Sequence, residues 1–512
     1  MTKEENMKNF CLMLLLVLTA IPAWAAPQHG GILKYGIAST SITVGVDPHV
    51  IQGDRTGWVL GQITESLLNY DKDMNTVPWL AESWDISDDA KTYTFHLRKG
   101  VRFHNGREMR ATDVKYSFER ILDPNTGSRR RKNLEVIDHI EIIDEYTTRV
   151  VLKSPLSAFL TYLVGAYGAI IPKESCGADG KVTHPVGTGP FTFVEWVKND
   201  HLTLQKNTDY WIKGIPYLDG IIFKPLPDEA VRLTALRTGA VDITHSLPEK
   251  MLPILTKKVN KEFTLQILPG VSWRMLIFNN RKPPFDNKKL RQAVNYAIDR
   301  EELNDALTWG FGTVKNQIWP KDSFWHMGGS PVKQDIKKAK QLLGEAGYAD
   351  GVDLLLEVKP NFQPVAEVIQ DQLKKSGIRL KLGVLDWASL KPKMKNYEYQ
   401  MVVSGAGWYS DPDARYGRFY ASDGPANYFA GGYTDAMIDE LLKKGRGEKD
   451  PLMRKQIYQE VFDKLSDDVP HLMLFHLPMT HAWRKDIMGF NVSAQGDLFY
   501  EEGGLPYTWI KK

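Results

Sequence analysis

The sequence predicts an α/β fold in two large halves, and three observations carry that reading. Apolar residues alternate with period two along the first half, as in strands packed on one face. From about residue 275 the apolar residues fall into regular helical stripes. One stretch, 353–387, reads strand, helix, strand: "DLLLEVK", then "PVAEVIQDQLKKSG" with Pro364 near its start and Gly377 at its end, then "IRLKLGVLDW".

The elements follow in order. "MTKEENMKNFCLMLLLVLTAIPAWAAPQHGG" has Lys3 and Lys8, an apolar run from Phe10 to Ile21, and Ala23-Trp24-Ala25. This is the layout of a secretory signal peptide, residues 1–25, and the run is shorter than the roughly 20 residues of a membrane span. "GGILKYGIA" opens the remaining chain as a strand. In "TYTFHLRKGVRF" (92–103), Tyr93, Phe95 and Leu97 share a face, Lys99-Gly100 suits a tight turn, and Val101 and Phe103 resume the alternation, so a hairpin is expected. "TDVKYSFERIL" switches to helical spacing, with Thr112 or Asp113 as cap. "EAVRLTALRTGAVDI" is a helix closed at Gly239 and followed by a short strand. "DNKKLRQAVNYAIDREEL" puts Leu290, Val294, Ala297 and Ile298 on one stripe, with Asp286 as cap. "YQMVVSGAGW" is a strand that delivers the chain to "GWYSDPDARYGRFY", and strand ends in α/β sheets are where ligand sites are built.

Composition narrows the function classes. The net charge is +3 with both signs mixed, and the densest basic run, Arg129 to Lys132, is a solvated loop rather than a nucleic-acid face. "FLTYLVGAYGAIIP" (159–172) is too short to span a membrane and reads as buried. Cys176 is the one cysteine after the leader, so neither an internal disulfide nor a cysteine-based zinc site is expected. Export without disulfides fits a bacterial periplasm, with stability drawn from apolar cores. No nucleophile elbow, H-E-x-x-H or P-loop occurs; "GTGPF" (187–191) lacks the Lys-Ser/Thr of a phosphate cradle. His471 and His476 are spaced for neither helical nor strand ligation of a metal. No cofactor or metal is expected.

Asp411 and Asp413 lie among Trp408, Tyr409, Tyr416, Phe419 and Tyr420. Three readings stand open there. The acids can be a general acid–base pair, an Asp-Pro-Asp turn packed by core aromatics, or a binding site in which a carboxylate meets a ligand cation against aromatic walls.

"LAESWDISDDAKTYTFHLRKGVRFHNGREMRATDVKYSFERILDP" (80–124) closely resembles the signature region of the family 5 extracellular solute-binding proteins. So do "PVGTGPFTFVEWVKNDHLTLQKNTDYW" (185–211), "RLTALRTGAVDI" (232–243), "IFNNRKPPFDNKKLRQAVNYAIDR" (277–300), and "WYSDPDA" followed by "NYFAGGYTDAMIDELL". The resemblance implies a periplasmic-binding-protein-like fold: two lobes joined by a two-stranded hinge, with an additional α+β domain. It places the first lobe at 26–75, 185–275 and 481–512, the additional domain at 76–184, and the second lobe at 276–480. It also implies a monomeric, non-enzymatic periplasmic receptor of an ABC importer. Such a receptor captures a di- or oligopeptide, or alternatively a sugar, opine, nickel complex or haem, and hands it to an inner-membrane permease.

In peptide-binding relatives, the W-x-x-D aspartate meets the ligand's α-ammonium. Here the match is Trp408-Tyr409-Ser410-Asp411, in a loop more compact than theirs, with Asp413 the neighbouring candidate. Trp273 is expected as a cleft wall and Arg274 as a carboxylate partner. Tyr428 is expected to face ligand, and Gly187 and Gly189 to let backbone approach the cleft closely.

Overall fold

A computed structural model describes residues 26–512 apart from 39–44, 51–53, Arg129, Asp322, Trp408 and 494–495. Residues 1–25, read above as a signal peptide, and Trp408 therefore lie outside the described residues. Fourteen strands are needed to place the site: β1 (Ile32–Ile37), β2 (Ala81–Ile86), β3 (Thr92–Leu97), β4 (Ile137–Asp144), β5 (Thr147–Leu152), β6 (Phe191–Val197), β7 (His201–Lys206), β8 (Gly220–Pro225), β9 (Ile243–His245), β10 (Thr264–Phe278), β11 (Val352–Val358), β12 (Ile378–Val384), β13 (Met401–Ala406) and β14 (His471–Trp483). The helices used below are α1 (Ala111–Leu122), α2 (Lys288–Ala297), α3 (Gln363–Lys374), α4 (Pro412–Tyr420), α5 (Ala436–Gly447) and α6 (Pro451–Asp468).

Ten strands form one sheet in the order β12-β11-β13-β10-β14-β9-β1-β8-β7-β6. The unit β11-α3-β12 is parallel, Val352 opposite Ile378, as the strand–helix–strand reading expects. Two long antiparallel strands, β10 and β14, hold the sheet together. Their near ends pair from Thr264↔Trp483 to Pro269↔Pro478 beside β9, and their far ends from Trp273↔His476 to Ile277↔His471 beside β13. Between these runs the register slips: residues 270–272 oppose Leu477 alone, a bulge that breaks the ladder. A Cβ on Gly270 would lie 1.8 Å from the Leu477 carbonyl oxygen, so only glycine fits. Gly270→Ala will cost about 1–3 kcal/mol in a urea titration, the range for forced overpacking; unchanged stability would show that the bulge relaxes freely.

Alternation on β10 builds two cores. Leu276 and Phe278 join α2, β11 and α3 through Leu290, Val294, Leu356 and Ile369. Trp273, Met275 and Ile277 point the other way, toward Tyr416, Phe419 and Tyr458 of α4 and α6. Beside the near ends, Leu33, Tyr35, Phe191 and Phe223 pack with Leu498 and Leu505, so the chain's last stretch returns to its first strands.

The signature region forms a separate antiparallel sheet, β2-β3-β5-β4. Tyr93, Phe95, Leu97, Val101 and Phe103 are all buried with Val114, Phe118 and Ile121 of α1, so the alternation reports burial correctly. The expected hairpin is different: β3 pairs with β2 and β5, and after the turn only Arg102 forms a bridge, to Glu108. Local alternation marks a buried face but does not name the partner strand. Two caps also move, the first by two or three residues and the second by one. α1 starts after Arg110, with Asp113 accepting from the Arg110 backbone N–H at 2.9 Å, and α2 is capped by Asn287 rather than Asp286. No helix among the described residues is long and apolar enough to cross a membrane.

Candidate ligand-binding cleft

At the break between the runs of β10 and β14 lies a cavity of about 1380 Å³, the volume open to water-sized probes. Gly270, Ser272 and Leu477 form its floor. Trp58, Glu65 and Tyr70 contribute one wall, and Asp413, Ala414, Gly417 and Arg418 of α4 contribute the facing one. Those four positions fall on one helical face, because 413/417 and 414/418 are each four apart.

α4 forms where it does because Asp411 caps it: the carboxylate accepts from the Asp413 N–H at 2.8 Å, and Pro412 occupies the first turn. The same carboxylate is held by α6. Arg454 Nη1 and Nη2 donate to its two oxygens at 2.5 and 2.7 Å, and both side chains are about 95 % buried. The expected ammonium partner is thus engaged inside the protein and does not line the cavity. Asp413 does line it, and accepts from Arg446 Nε of α5 at 2.9 Å. Burial raises the Asp413 carboxyl above its ordinary pKa, against the opposing pull of Arg446.

Arg418 is exposed on the cleft wall and forms no ion pair among the described residues. Contacts also cross between the two sides: Tyr70 Oη donates to Ser410 Oγ at 2.8 Å, and the Ser157 N–H donates to the Arg446 carbonyl at 2.9 Å.

The remaining expected residues sit elsewhere. Trp273 is fully buried between His476, 5.9 Å away ring to ring, and the Arg415 guanidinium at 5.1 Å; it belongs to the core and not to the cavity wall. Arg274, one step along β10, points to the opposite face and lies 4.3 Å over Phe362, where burial pulls its pKa down to about 10. Strand alternation, which sequence proximity to the break does not override, decides both. Tyr428 packs against Phe429, ring centres 4.5 Å apart and planes tilted by 34°, and is not part of the wall. Gly187 and Gly189 do admit a close backbone approach, but to the chain at 62–64: a Cβ on Gly187 would meet the Ile63 carbonyl at 2.2 Å. They support the wall segment from behind.

Glu65 carries no motif that singles it out in the sequence. It is 3 % exposed, lines the cavity, and accepts from Trp79 Nε1 (2.7 Å), Tyr210 Oη (2.7 Å), Trp211 Nε1 (3.1 Å) and Thr188 Oγ1 (2.7 Å). Burial lifts its pKa to about 7, although all four donors favour the ionised form. The donors come from distant stretches of chain, so no local pattern announces the site.

Comparison with known proteins gives the family of the chain. The family description "Bacterial extracellular solute-binding proteins, family 5 Middle" matches residues 75–427. The glutathione-binding protein GsiB of Pectobacterium atrosepticum is 29 % identical over 501 residues, covering 95 % of this chain and 96 % of that protein. The structure of the PBP AgaA in complex with agropinic acid, from A.tumefacien R10, is 32 % identical with a TM-score of 0.77, covering 94 % and 99 % of the two chains. The periplasmic binding protein DppA of Helicobacter pylori, in complex with peptide STSA, is 27 % identical with a TM-score of 0.77, covering 95 % and 99 %.

Proposed function

The chain belongs to the bacterial extracellular solute-binding proteins of family 5, receptors of ABC transporters and not enzymes, and on that premise we propose that it captures a carboxylate-bearing di- or oligopeptide in the periplasm. The ligand sits in the cavity at the break of β10 and β14 and is enclosed as the flanking bodies close about those two strands. The bodies are a first lobe of 26–75, 185–275 and 481–512, a second lobe of 276–480, and an additional domain of 76–184. The closed form is handed to the inner-membrane permease, and the ligand shifts the equilibrium only by its preference for that form.

One observation carries the ligand class. On the cleft face of α4, Arg418 has no ionic partner among the described residues, whereas the nearby acids are engaged by Arg446 and Arg454. On this helix face the group left to orient a ligand is cationic, and a guanidinium suits a carboxylate in a paired, charge-assisted contact; elsewhere on the lining the half-buried Glu229 and Glu249, without an ion pair among the described residues, suit the ammonium end of the same peptide. Trp58 and Tyr70 add wall area that tolerates different side chains. The engagement of Asp411 by Arg454 favours a second reading: a non-peptide amino-acid derivative such as an opine, which needs no free aspartate for an α-ammonium.

Native mass spectrometry of protein purified from periplasm without refolding separates the two. A ladder of peptide masses supports the first reading, and a single non-peptide mass the second. Whichever solute is found, Arg418→Ala will weaken its binding about 10- to 100-fold in a calorimetric titration, the range for a hydrogen bond to a charged group. Unchanged affinity would remove Arg418 from the site.

A further inference from the structure

α4 has a second face. Asp413, Ala414, Gly417 and Arg418 border the cleft, while Arg415, Tyr416 and Tyr420 border a separate cavity of about 130 Å³ behind the helix. Trp319, Gln317 and Arg300 form other parts of its wall, and Ser330 and Ser466 also line it. The volume is close to that of an engineered protein cavity, about 150 Å³, that holds benzene. It has room for an ion of a few heavy atoms.

Arg415 is the unusual group there. It is 2 % exposed, and among the described residues it donates no hydrogen bond and forms no ion pair; its Nη1 is buried without an acceptor. Its guanidinium carbon lies 3.9 Å from the Phe419 ring centre, 5.1 Å from that of Trp273 and 5.6 Å from that of Tyr420. Ring faces offset part of the cost of burying a cation, but they offer no lone pairs to its N–H groups. The indole N–H groups of Trp273 and Trp319 are likewise buried without an acceptor among the described residues. Arg300, the other cation on the lining, donates to the carbonyls of Met473 and Val332 and to Asn295, all neutral. No carboxylate among the described residues lines the cavity. His471 adds no further positive charge: burial, then the Arg415 charge, lowers its pKa to about 3, so it is neutral. A buried cation normally requires both a counter-charge and hydrogen-bond acceptors.

We propose that this cavity is a second binding site, which takes a small carboxylate ion of formate to acetate size on the Arg415 guanidinium. A planar monoanion matches the flat donor fork and can lie between aromatic walls. Arg300 spends its donors on neutral partners, so the free donor fork is that of Arg415 alone, which one carboxylate fills. The site is separate from the solute cleft and does not depend on which solute the cleft receives.

Thermal unfolding of the purified protein in sodium acetate and in sodium chloride, at equal ionic strength, tests it. Acetate will raise the Tm saturably over chloride, by about 2 °C or more well above Kd. Arg415→Met will abolish the rise, and Arg418→Ala, which alters only the cleft face, will keep it. No rise over chloride, an equal rise in Arg415→Met, or a rise lost only in Arg418→Ala each overturns the proposal, the last because acetate would then be binding in the cleft. If Arg415→Met fails to fold, a crystal structure of the unaltered protein grown in acetate decides. Planar density within hydrogen-bond distance of Arg415 supports the site, and its lack overturns it.

Discussion

Replacing Asp411 with asparagine will destabilise the protein by about 3–5 kcal/mol, because it leaves the Arg454 guanidinium buried without its counter-charge. The pair has little water to fall back on: the carboxylate accepts from both terminal nitrogens, and Arg454 Nε is already committed to the Gly445 carbonyl at 2.9 Å. Trp325 and Tyr458 flank the guanidinium at 5.1 and 5.2 Å, so little solvent can enter to replace the lost partner. Asparagine keeps an oxygen for the Asp413 N–H; alanine does not, and will cost about 1 kcal/mol more for the lost helix cap. Adding Arg454→Met to Asp411→Asn will recover much of the loss, since a buried pair replaced by apolar packing is often near neutral. A double-mutant cycle from urea titrations checks this, and a coupling near zero would show that the pair contributes nothing specific. The same variant addresses ligand recognition. If folded Asp411→Asn loses its bound solute, the carboxylate touches the ligand after all; retained solute leaves recognition to the cleft face of α4.

The second large effect is on pH dependence. With its pKa raised to about 7, Glu65 keeps its proton in the folded protein at pH values where the unfolded chain, near the ordinary value of 4.5, has released it. The folded state then binds more protons than the unfolded, so stability falls as pH rises. The fall runs from about pH 4.5 to about pH 7, totals about 3 kcal/mol, and levels off above that window. Glu65→Gln removes the titration, and its stability profile across the window will be flatter by about 1 kcal/mol per pH unit. The substituted amide has a single oxygen and cannot accept from all four donors, so some stability is lost at pH 5 as well. An unchanged slope in the variant would assign the pH dependence to other groups, of which Asp413, also raised by burial, is the first to test.

Much of the fold was legible because its cause is local. The alternation of Tyr93, Phe95 and Leu97 and the helical stripe of Leu290, Val294 and Ala297 each follow from the need to bury one face, and that need is written in residue spacing. The strand–helix–strand unit at 352–384 was legible for the same reason, with Pro364 and Gly377 marking the helix ends. The motif order carried the family as well. The partner of β3 was not legible, because strand pairing is a choice among distant segments that present similar faces.

The site was legible only in outline. Sequence alone brought attention to "WYSDPDARYGRFY" and established that two acids and two arginines share one short stretch with several aromatic rings. It could not assign their partners. Arg454 lies 43 positions from Asp411, Arg446 lies 33 from Asp413, and the four donors on Glu65 lie from 14 to 146 positions away. Helical periodicity then divided the motif, turning Asp413 and Arg418 toward the cleft and Arg415 toward the cavity behind it. The order of residue types determined which chemistry was available. Only the packing of distant segments decided which charges were neutralised and which remained free for a ligand, because a charge's role depends on what lies within a few ångströms of it in space.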